Sequence, residues 1–507
     1  MSAPVPRVVP FAVALLAGLA QAMSIATPWN GQPQWWLQLL SLGVLAWQLG
    51  RQGSPRRGFL LAWVFATTWQ TATYWWLFIS LHTYGGLASS LTVIAVVGLA
   101  AFLSLYYAAA GALYCAVVRS SRGWAPLVFA ALWTLGELLR VTLFTGFPWG
   151  AGGYAHLGGP LAGYAPWIGV HGMTFAAAFV AAAVADVLRH RAAAAAGLGV
   201  MALGLALPFA GEFSTSSGRI AVTLLQGNIP QDEKFQRGSG IPLALEWYGR
   251  QLREATTALV VAPETAIPLL PKQLPDGYMD AMSKRYSAGT QAALIGMPLG
   301  SLSDGYSNSV VGLKPGAPDY RYDKHHLVPF GEFIPPLFRW FTAMMNIPLG
   351  DFNRGAVGQP SFDWGGQRFA PNICYEDLFG EELGRRFGDA ATAPTVFVNV
   401  SNIGWFGNTI AIDQHLQISR LRALEFERPM LRATNTGATV IIDHHGQVTH
   451  SLQRFIRGVL TGEVEGRNGI TPYAWWVSRA GLWPLWLLFS AIVAFALWRR
   501  TSAVPRP

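Results

Sequence analysis

Charged residues are scarce in this sequence. Only 12% of its 507 residues are Asp, Glu, Lys or Arg, which is about half the share usual for a soluble globular protein. A wholly soluble protein is therefore not expected. Intrinsic disorder is excluded as well, because disordered chains are polar and poor in aromatic residues, whereas this chain has 21 tryptophans and is 52% hydrophobic.

Cysteine is equally rare. Cys115 and Cys374 are the only cysteines, which excludes a disulfide scaffold.

The net charge of +9 is compatible with nucleic-acid binding, but residues 1–210 hold nine arginines, no lysine and only two acids, Glu137 and Asp186. These charges lie at the ends of apolar runs, whereas a nucleic-acid binder clusters Lys and Arg on a polar domain. We therefore expect no nucleic-acid partner.

Long apolar runs occupy the first part of the chain. A membrane span needs about 20 mostly apolar residues. Eight segments are predicted as spans: 8–25, 34–50, 58–80, 87–118, 124–143, 163–188, 192–210 and 475–498. They divide the chain into a seven-helix transmembrane domain (1–210), a polar domain (211–470), and a final transmembrane helix with a tail (471–507).

Arginines alternate between the connections of these spans. They occur before span 1, after spans 2, 4 and 6, and after the last span: Arg7, Arg51, Arg56, Arg57, Arg119, Arg122, Arg189, Arg191, Arg499 and Arg500. Connections 26–33 and 81–86 contain neither Lys nor Arg. Since positive loops stay in the cytoplasm, both termini are predicted to be cytoplasmic and the polar domain to face outward.

Two ionisable residues stand in span 5. Glu137 and Arg140 are three positions apart, so they share a helix face and can pair. Charges inside a membrane are functional candidates by default, and a structural ion pair is the alternative.

The block 211–470 has a different pattern. Eight short β-rich runs recur, each bounded by Gly, Pro, Asn or Asp as strands are: 220–225, 258–262, 292–296, 309–313, 369–373, 395–400, 430–434 and 439–443. Several are continuously apolar, as in strands buried on both faces. Helical patterns lie between them, notably at 240–256, 277–288 and 411–427. Strands alternating with helices predict an α/β layered domain.

Three stretches that follow such runs carry reactive side chains. Glu264 lies in Ala-Pro-Glu-Thr, Lys324 opens a run that ends at Glu332, and Cys374 lies in Ile-Cys-Tyr-Glu. A carboxylate can take the proton of a thiol, the thiolate is the nucleophile, and an ammonium stabilises an oxyanion. Together the three predict an acyl-transfer site in which the thiol forms a thioester.

Other interpretations of these residues stay open on spacing alone. A lone cysteine after a strand is often inert core. A Cys–His–acid triad could use His326 or His415. The adjacent pairs at 325–326 and 444–445 lack zinc-finger spacing to cysteines, and neighbouring side chains on a strand point to opposite faces, so no metal site is predicted.

Longer motifs tie the stretches to a known family. They are LLQGNIPQ at 224–231, KHHLVPFGE at 324–332, ICYE at 373–376, NVSNIGWFG at 399–407 and RATNTG at 432–437. With the seven leading spans, and with GELLR and TGFPWG at 136–150, the chain resembles the bacterial apolipoprotein N-acyltransferases of the nitrilase (carbon-nitrogen hydrolase) superfamily. The resemblance covers nearly the whole chain.

The resemblance implies a fold and roles for single residues. The fold would be an αββα sandwich on an eight-helix membrane base. Glu264 would be the general base, Lys324 the transition-state stabiliser and Cys374 the nucleophile. Four residues match positions that support the oxyanion or orient the triad: Glu332, Tyr375, Glu376 and Asn308.

Three aromatic residues match positions assigned to substrate or lid. Trp405 and Phe406 match loop aromatics near the lipid entry of the family. Phe235 stands where the family often has Trp, so an aromatic contact is retained and an indole N–H is not.

The resemblance also implies a reaction. The enzyme would move an acyl chain from the sn-1 position of a phospholipid such as phosphatidylethanolamine, through a cysteine thioester, to the amino terminus of diacylglyceryl-cysteine on an apolipoprotein. It would work as a monomer in the bacterial inner membrane, with the catalytic domain in the periplasm and without a cofactor. The alternatives are a membrane-anchored amidase or nitrilase that hydrolyses C–N bonds, and a non-enzymatic lipid-binding or transport protein.

Overall fold

The computed structural model describes residues 8–118, 122–185, 187, 191–334 and 351–502. Arg7, Arg119 and Arg189, which contribute to the predicted orientation, lie outside these residues. The orientation of the chain in a membrane therefore stays a prediction.

The chain divides into two units. The first consists of Met1–Phe78, Ser89–Gly211 and Leu482–Pro507, and the second of Ile79–Ala88 and Glu212–Gly481. The second unit thus includes a short segment that lies between two helices of the first in the sequence. The predicted domain bounds at residues 210 and 470 stay a prediction.

The first unit is helical where it is described. Its leading helices are α1 Val9–Ile25, α2 Trp35–Gly50, α3 Pro55–Tyr74, α4 Ser89–Val117, α5 Ala125–Thr142, α6 Ala165–Ala185 and α7 Arg191–Ala206. Four of the described helices, α4 to α7, are long and apolar enough to cross a membrane. A fifth span results if one bent helix pair near the C-terminus counts as a single span. The prediction of eight spans goes beyond these four or five and stays a prediction.

The bent pair replaces the continuous span predicted at 475–498. Helix α12, Pro472–Ala480, ends at Gly481, and helix α13, Trp483–Ser502, follows at 89° to it. Gly481 has a positive φ of 54°, which glycine adopts without steric cost. The apolar composition hid this break, because both helices are rich in aromatic and aliphatic residues.

The two ionisable residues of α5 do not pair with each other. Glu137 accepts a hydrogen bond from the Gly152 backbone N–H at 2.8 Å and lies 2.6 Å from His171 Nδ1. Arg140 donates to the carbonyl oxygen of Trp149 at 2.6 Å. Each buried charge therefore has its own polar partners, and the predicted ion pair between the two is wrong.

The second unit contains two six-stranded sheets among its described residues. The strands are β1 Ser214–Gln226, β2 Leu259–Ala262, β3 Ala292–Ser301, β4 Gly305–Leu313, β5 Tyr320–Asp323, β6 Phe362–Trp364, β7 Gln367–Ile373, β8 Val396–Ser401, β9 Met430–Thr434, β10 Val440–Ile442, β11 Val448–Ser451 and β12 Gly458–Gly469. Their orders are β12-β1-β2-β3-β4-β5 and β11-β10-β9-β8-β7-β6. The neighbours β1, β2 and β3 are parallel, as are β7, β8 and β9, and the outer pairs are antiparallel.

The two sheets share one apolar core. Val222 and Val261 of the first sheet belong to the same buried cluster as Val398 and Leu431 of the second. Alternate residues of a strand face opposite sides of a sheet. Accordingly Val260 belongs to a separate cluster with residues of helices α8, Gly240–Glu254, and α9, Tyr278–Ser287.

All eight predicted strands and the three predicted helices of this unit are present. The helices are α8, α9 and α11, Ala411–Phe426, and a short helix α10, Gly380–Gly384, precedes the last of them. The strands without an apolar run, β5, β6, β11 and β12, were not predicted. Strand β12 pairs antiparallel with β1 from Gln226↔Gly458 to Ser214↔Gly469. Its sequence, GVLTGEVEGRNG, is rich in glycine and charge and is only partly buried, so it carries no local signal of its length.

Candidate active site

The three predicted catalytic residues lie at strand ends. Glu264 lies two residues beyond β2, while Lys324 and Cys374 directly follow β5 and β7. Cys374 has a φ of 53°, in the left-handed region that residues with a Cβ rarely adopt. Such a conformation costs roughly 1–3 kcal/mol and persists only where the surroundings impose it. The turn presents the thiol at the end of the strand.

Lys324 lies between two carboxylates. Its Nζ is 2.8 Å from Glu332 Oε2 and 3.4 Å from Glu264 Oε1. The side-chain amide of Asn308 donates to Glu264 Oε1 at 2.7 Å and to Glu332 Oε1 at 2.8 Å. All four side chains are buried. One ammonium and one amide thus hold together two carboxylates that would otherwise repel.

These charges act on the lysine and on the thiol. Burial lowers the pKa of Lys324, but Glu332 and Glu264 outweigh it, so that the pKa lies above its ordinary value and the side chain stays an ammonium. Although part of Cys374 is accessible, desolvation and the nearby Glu264 raise the pKa of its thiol to about 12 despite Lys324. The resting cysteine is therefore a thiol, and its attack on a carbonyl carbon needs a base to take the proton.

Glu264 is fixed by two partners that sequence reasoning missed. The backbone N–H of Asn402 donates to its second oxygen, Oε2, at 2.8 Å. Lys234 Nζ donates to its backbone carbonyl oxygen at 3.0 Å. Burial lowers the pKa of Lys234 to about 8. Lys234 lies three residues after the LLQGNIPQ motif. This position was the one signal for Lys234 in the sequence, and it does not predict that the side chain is buried.

Glu376 joins the cysteine turn to the lysine loop. Its carboxylate accepts from the Tyr322 hydroxyl and the Ile373 N–H at 2.7 Å each, and from the backbone N–H groups of His325 and His326 at 2.6 and 3.2 Å. Burial raises the pKa of this carboxyl. The residue is therefore placed to hold the two segments in register.

The remaining predicted residues surround this cluster to different degrees. Tyr375 is buried and its ring packs edge-on against Phe379 at 5.3 Å. Phe235, Trp405 and Phe406 are half-buried. Lys234 Nζ is 5.9 Å from the centroid of the Phe235 ring, which brings this aromatic residue next to a group bonded to Glu264.

The histidine-based triad finds no support. His415 Nε2 lies 2.8 Å from Asp377 Oδ1 and 3.2 Å from the carbonyl oxygen of Cys374. His326 Nδ1 lies 2.9 Å from Glu382. These ring nitrogens face carboxylates and a carbonyl oxygen, whereas a Cys–His–acid triad requires a ring nitrogen of the histidine at the thiol.

One potential metal cluster is present in the described part of the chain, contrary to the prediction for the histidine pairs. Glu212, His444 and His445 bring one ligand atom each within 4.8 Å of one another. The histidines follow β10 in a turn, so the alternation of a strand does not separate them. Arg467 forms an ion pair with the Glu212 carboxylate, and two of the three residues are exposed.

Comparisons with known proteins cover both units. Residues 13–183 match the family described as apolipoprotein N-acyltransferase N-terminal domain, and residues 221–470 match the carbon-nitrogen hydrolase family. An apolipoprotein N-acyltransferase of Verminephrobacter eiseniae is 59% identical over 498 residues, which is 92% of each chain. Another from Ralstonia nicotianae is 46% identical over 87% of this chain and 85% of its own length.

Among solved structures, a carbon-nitrogen hydrolase superfamily protein from Xanthomonas campestris aligns with a TM-score of 0.36 and 19% identity, covering 55% of this chain and 97% of its own. The two apolipoprotein N-acyltransferases are similar enough to this chain, in identity and in the length covered, to show its family. The chain is a member of the apolipoprotein N-acyltransferase family, with a catalytic unit of the carbon-nitrogen hydrolase type.

Proposed function

We propose that this enzyme transfers an acyl chain from the sn-1 position of a membrane phospholipid, through a thioester on Cys374, to the amino terminus of diacylglyceryl-cysteine on apolipoproteins. One observation carries the proposal. The buried ammonium of Lys324 is held by Glu332 and Glu264 at the strand ends that also carry Cys374, and its charge favours the thiolate by lowering the pKa of Cys374. A base, a cation and a nucleophile are the groups that acyl transfer requires.

In the first half-reaction Glu264 takes the proton of the Cys374 thiol as sulfur attacks the ester carbonyl. A proton transfer concerted with attack suits a thiol whose pKa is raised to about 12, because a free thiolate is then scarce at neutral pH. The Lys324 ammonium and the Tyr375 N–H stabilise the oxyanion. The C–O bond breaks, Glu264 returns the proton to the leaving oxygen, and a lysophospholipid departs.

In the second half-reaction the amine of diacylglyceryl-cysteine attacks the thioester carbonyl. Glu264 takes a proton from the nitrogen, the same oxyanion forms, and the C–S bond breaks with return of a proton to sulfur. One base therefore serves both steps in turn, and the covalent thioester between them predicts ping-pong kinetics. The product is an N-acylated lipoprotein.

Four residues support these groups without breaking bonds. Glu332 and Asn308 hold Lys324 and Glu264 in place. Glu376 keeps the cysteine turn against the lysine loop. Tyr375 supplies a backbone N–H to the oxyanion.

Aromatic residues provide a cover for the thioester. Trp405 packs edge-on against Tyr84 at 5.7 Å, within the segment Ile79–Tyr84, which is a π-helix and belongs to the same unit. We assign Trp405, Phe406 and Phe235 to the lipid entry, where they limit access of water, the competing nucleophile.

The apolar helices supply the membrane setting. Exposing a lipid chain to water costs about 0.8 kcal/mol per CH₂, which a site at the bilayer surface avoids. We propose eight spans, cytoplasmic termini, and an αββα catalytic domain over residues 211–470 on the periplasmic side of the bacterial inner membrane. The enzyme acts as a monomer on a donor such as phosphatidylethanolamine.

The test is to incubate the purified full-length protein with phospholipid in the absence of an acceptor and to measure its intact mass. We expect a gain of one acyl chain on Cys374 and none in Cys374→Ala. Cys115→Ala is the matched control, because this second cysteine is buried in α4, and it should acylate as the wild type does. Adding a diacylglyceryl lipopeptide should then discharge the acyl group onto the peptide amine.

Other outcomes identify the rival functions. An unmodified protein that releases ammonia from small amides would indicate an amidase. A protein that retains phospholipid without a covalent adduct would indicate lipid binding or transport.

A further inference from the structure

The carbonyl oxygen of Cys374 has two side-chain donors. Asn399 Nδ2 lies 3.1 Å from it and His415 Nε2 lies 3.2 Å from it. Asn399 is in β8 and His415 in helix α11, Ala411–Phe426. Both side chains are fully buried. The peptide bond that follows the nucleophile is therefore held from outside its own turn.

Arg432 decides how these two donors are oriented. Its guanidinium donates to Asn399 Oδ1 at 3.2 Å, which turns the amide NH₂ of Asn399 toward Cys374. It also donates to His415 Nδ1 at 2.8 Å. A ring nitrogen that accepts from an arginine carries no proton, so the proton of the neutral imidazole is on Nε2. There it is shared between Asp377 Oδ1 at 2.8 Å and the Cys374 carbonyl oxygen at 3.2 Å.

The charge of Arg432 is balanced within the same group. Asp377, three residues after the nucleophile, lies 3.4 Å from Arg432 and accepts from Ser419 Oγ at 2.5 Å. Burial lowers the pKa of His415, with Arg432 adding to the effect. The imidazole therefore stays neutral, and the tautomer set by Arg432 is maintained.

Holding the Cys374 carbonyl also determines the direction of the next N–H. A trans peptide is planar, and its C=O and N–H point in opposite directions; the described residues contain no cis peptide. Fixing the oxygen of the Cys374–Tyr375 peptide on one side thus aims the Tyr375 N–H on the other side. This N–H is the donor assigned above to the oxyanion.

We propose that Arg432 is a positioning residue for the oxyanion hole, acting through Asn399 and His415 on the Cys374–Tyr375 peptide. The inference rests on the proposed acyl transfer, since it concerns the donor to its oxyanion. It also gives the positive φ of Cys374 a cause, because two donors outside the turn compensate the strain.

The principal variant is Arg432→Lys, which keeps the charge and loses the planar fork that reaches both donors. The matched control is Arg428→Lys. Arg428 is also buried, but its guanidinium donates to the carbonyl oxygens of Pro394 and Gly469, away from the nucleophile. Both variants lose a buried fork, so they share any general loss of stability.

Two reactions of Cys374 separate positioning from structural damage. Acylation by phospholipid or by a p-nitrophenyl ester forms an oxyanion, whereas alkylation by iodoacetamide occurs at a saturated carbon and forms none. We expect Arg432→Lys to acylate about 10- to 100-fold more slowly, somewhat less than the 10²–10³ lost on removing an oxyanion donor, with alkylation unchanged. Arg428→Lys should keep both rates.

Three results overturn the proposal: acylation at the wild-type rate in Arg432→Lys, a parallel loss of acylation and alkylation in it, or an equal loss of acylation in Arg428→Lys. If Arg432→Lys does not fold, His415→Asn and His415→Gln take its place. Gln extends an N–H toward the Nε2 position and should retain more acylation than Asn; equal rates would contradict the proposal. If the wild-type enzyme is acylated by the nitrophenyl ester and not by phospholipid, phospholipid is refuted as the acyl donor. The comparison of the Arg432 and Arg428 variants with the nitrophenyl ester then still tests the positioning role.

Discussion

The ammonium of Lys324 is bound more closely by Glu332 than by any other carboxylate, with Nζ 2.8 Å from Oε2. Its distance to Glu264 Oε1 is 3.4 Å. The two acids therefore have different tasks. In the proposed mechanism Glu332 would hold the cation assigned to the oxyanion, while Glu264, which has the weaker contact with that cation, would accept the proton.

Glu264→Gln should separate acylation from thiol reactivity. We expect acylation from phospholipid to fall by about 10²- to 10⁴-fold, the usual contribution of a general base. Alkylation by iodoacetamide at a fixed pH should become faster, because Glu264 raises the pKa of Cys374 while Lys324 lowers it. Rates of both reactions are followed by intact mass, with the exposed Glu246→Gln as control. Slower alkylation in Glu264→Gln would be evidence against this electrostatic role.

Lys324→Arg tests the shape of the cation. The variant keeps the charge but replaces a compact ammonium with a planar fork, which cannot fill the same position between Glu332 and Glu264. We expect loss of acylation with retention of the fold, measured by intact mass and by thermal unfolding. Near-wild-type formation of the acyl-enzyme would remove Lys324 from the oxyanion hole.

Asn308→Asp places a third carboxylate between two others. The amide donors at 2.7 and 2.8 Å from Glu264 and Glu332 would be replaced by an acceptor, and repulsion would raise the pKa of the new carboxyl above its unfolded value. The variant should be destabilised at pH 7. The deficit should shrink as the pH falls through the raised pKa of the new carboxyl, and it should be gone near pH 4, because the pKa of an unfolded Asp is about 3.9.

Asn308→Leu is the uncharged comparison for that measurement. It removes the same hydrogen bonds without adding a charge, so its loss of melting temperature should not show this recovery at low pH. Identical pH dependence of the two variants would contradict the repulsion argument.

Lys234→Met should stabilise the protein at neutral pH. The pKa of Lys234 is lowered to about 8, whereas that of an unfolded lysine is about 10.4. Below about pH 8 the buried ammonium opposes folding, and this cost disappears as the pH rises toward about 10.4. The rise in melting temperature over the wild type should be largest at pH 7 and vanish near pH 10. A gain that is constant with pH would attribute the effect to packing alone.

The strands of the second unit could be predicted from the sequence because a strand that is buried on both faces is a short, continuously apolar run of residues. Strand β12 was not predicted, since a glycine-rich, half-exposed strand depends on β1 for its length. The break at Gly481 was not predicted either, because apolar composition looks the same in one span and in two helices. The pairing expected for Glu137 and Arg140 failed for a related reason, because each has a polar partner far along the chain: His171 lies beside Glu137, and the Tyr74 hydroxyl lies beside Arg140.

The motifs named the residues that the structure brings together at the end of the sheets, but they did not assign partners. The distances between Lys324, Glu332 and Asn308 depend on strand register across the first sheet. Neither the burial of Lys234 nor the hydrogen bonds of Arg432 could be predicted from the motifs, because their partners, Glu264 and Asn399, lie 30 and 33 positions away in the sequence.

By itself the amino-acid order determined where the chain is apolar, where strands alternate with helices, and which side chains are available for acyl transfer, since hydropathy and residue identity are properties of short segments. Only the tertiary structure decided which carboxylate holds the ammonium, which groups hold the peptide after the nucleophile, and what charge surrounds the thiol. Those outcomes are contacts between residues from 8 to about 110 positions apart, and they arise when strand pairing and burial in a low-dielectric core bring such residues to hydrogen-bonding distance.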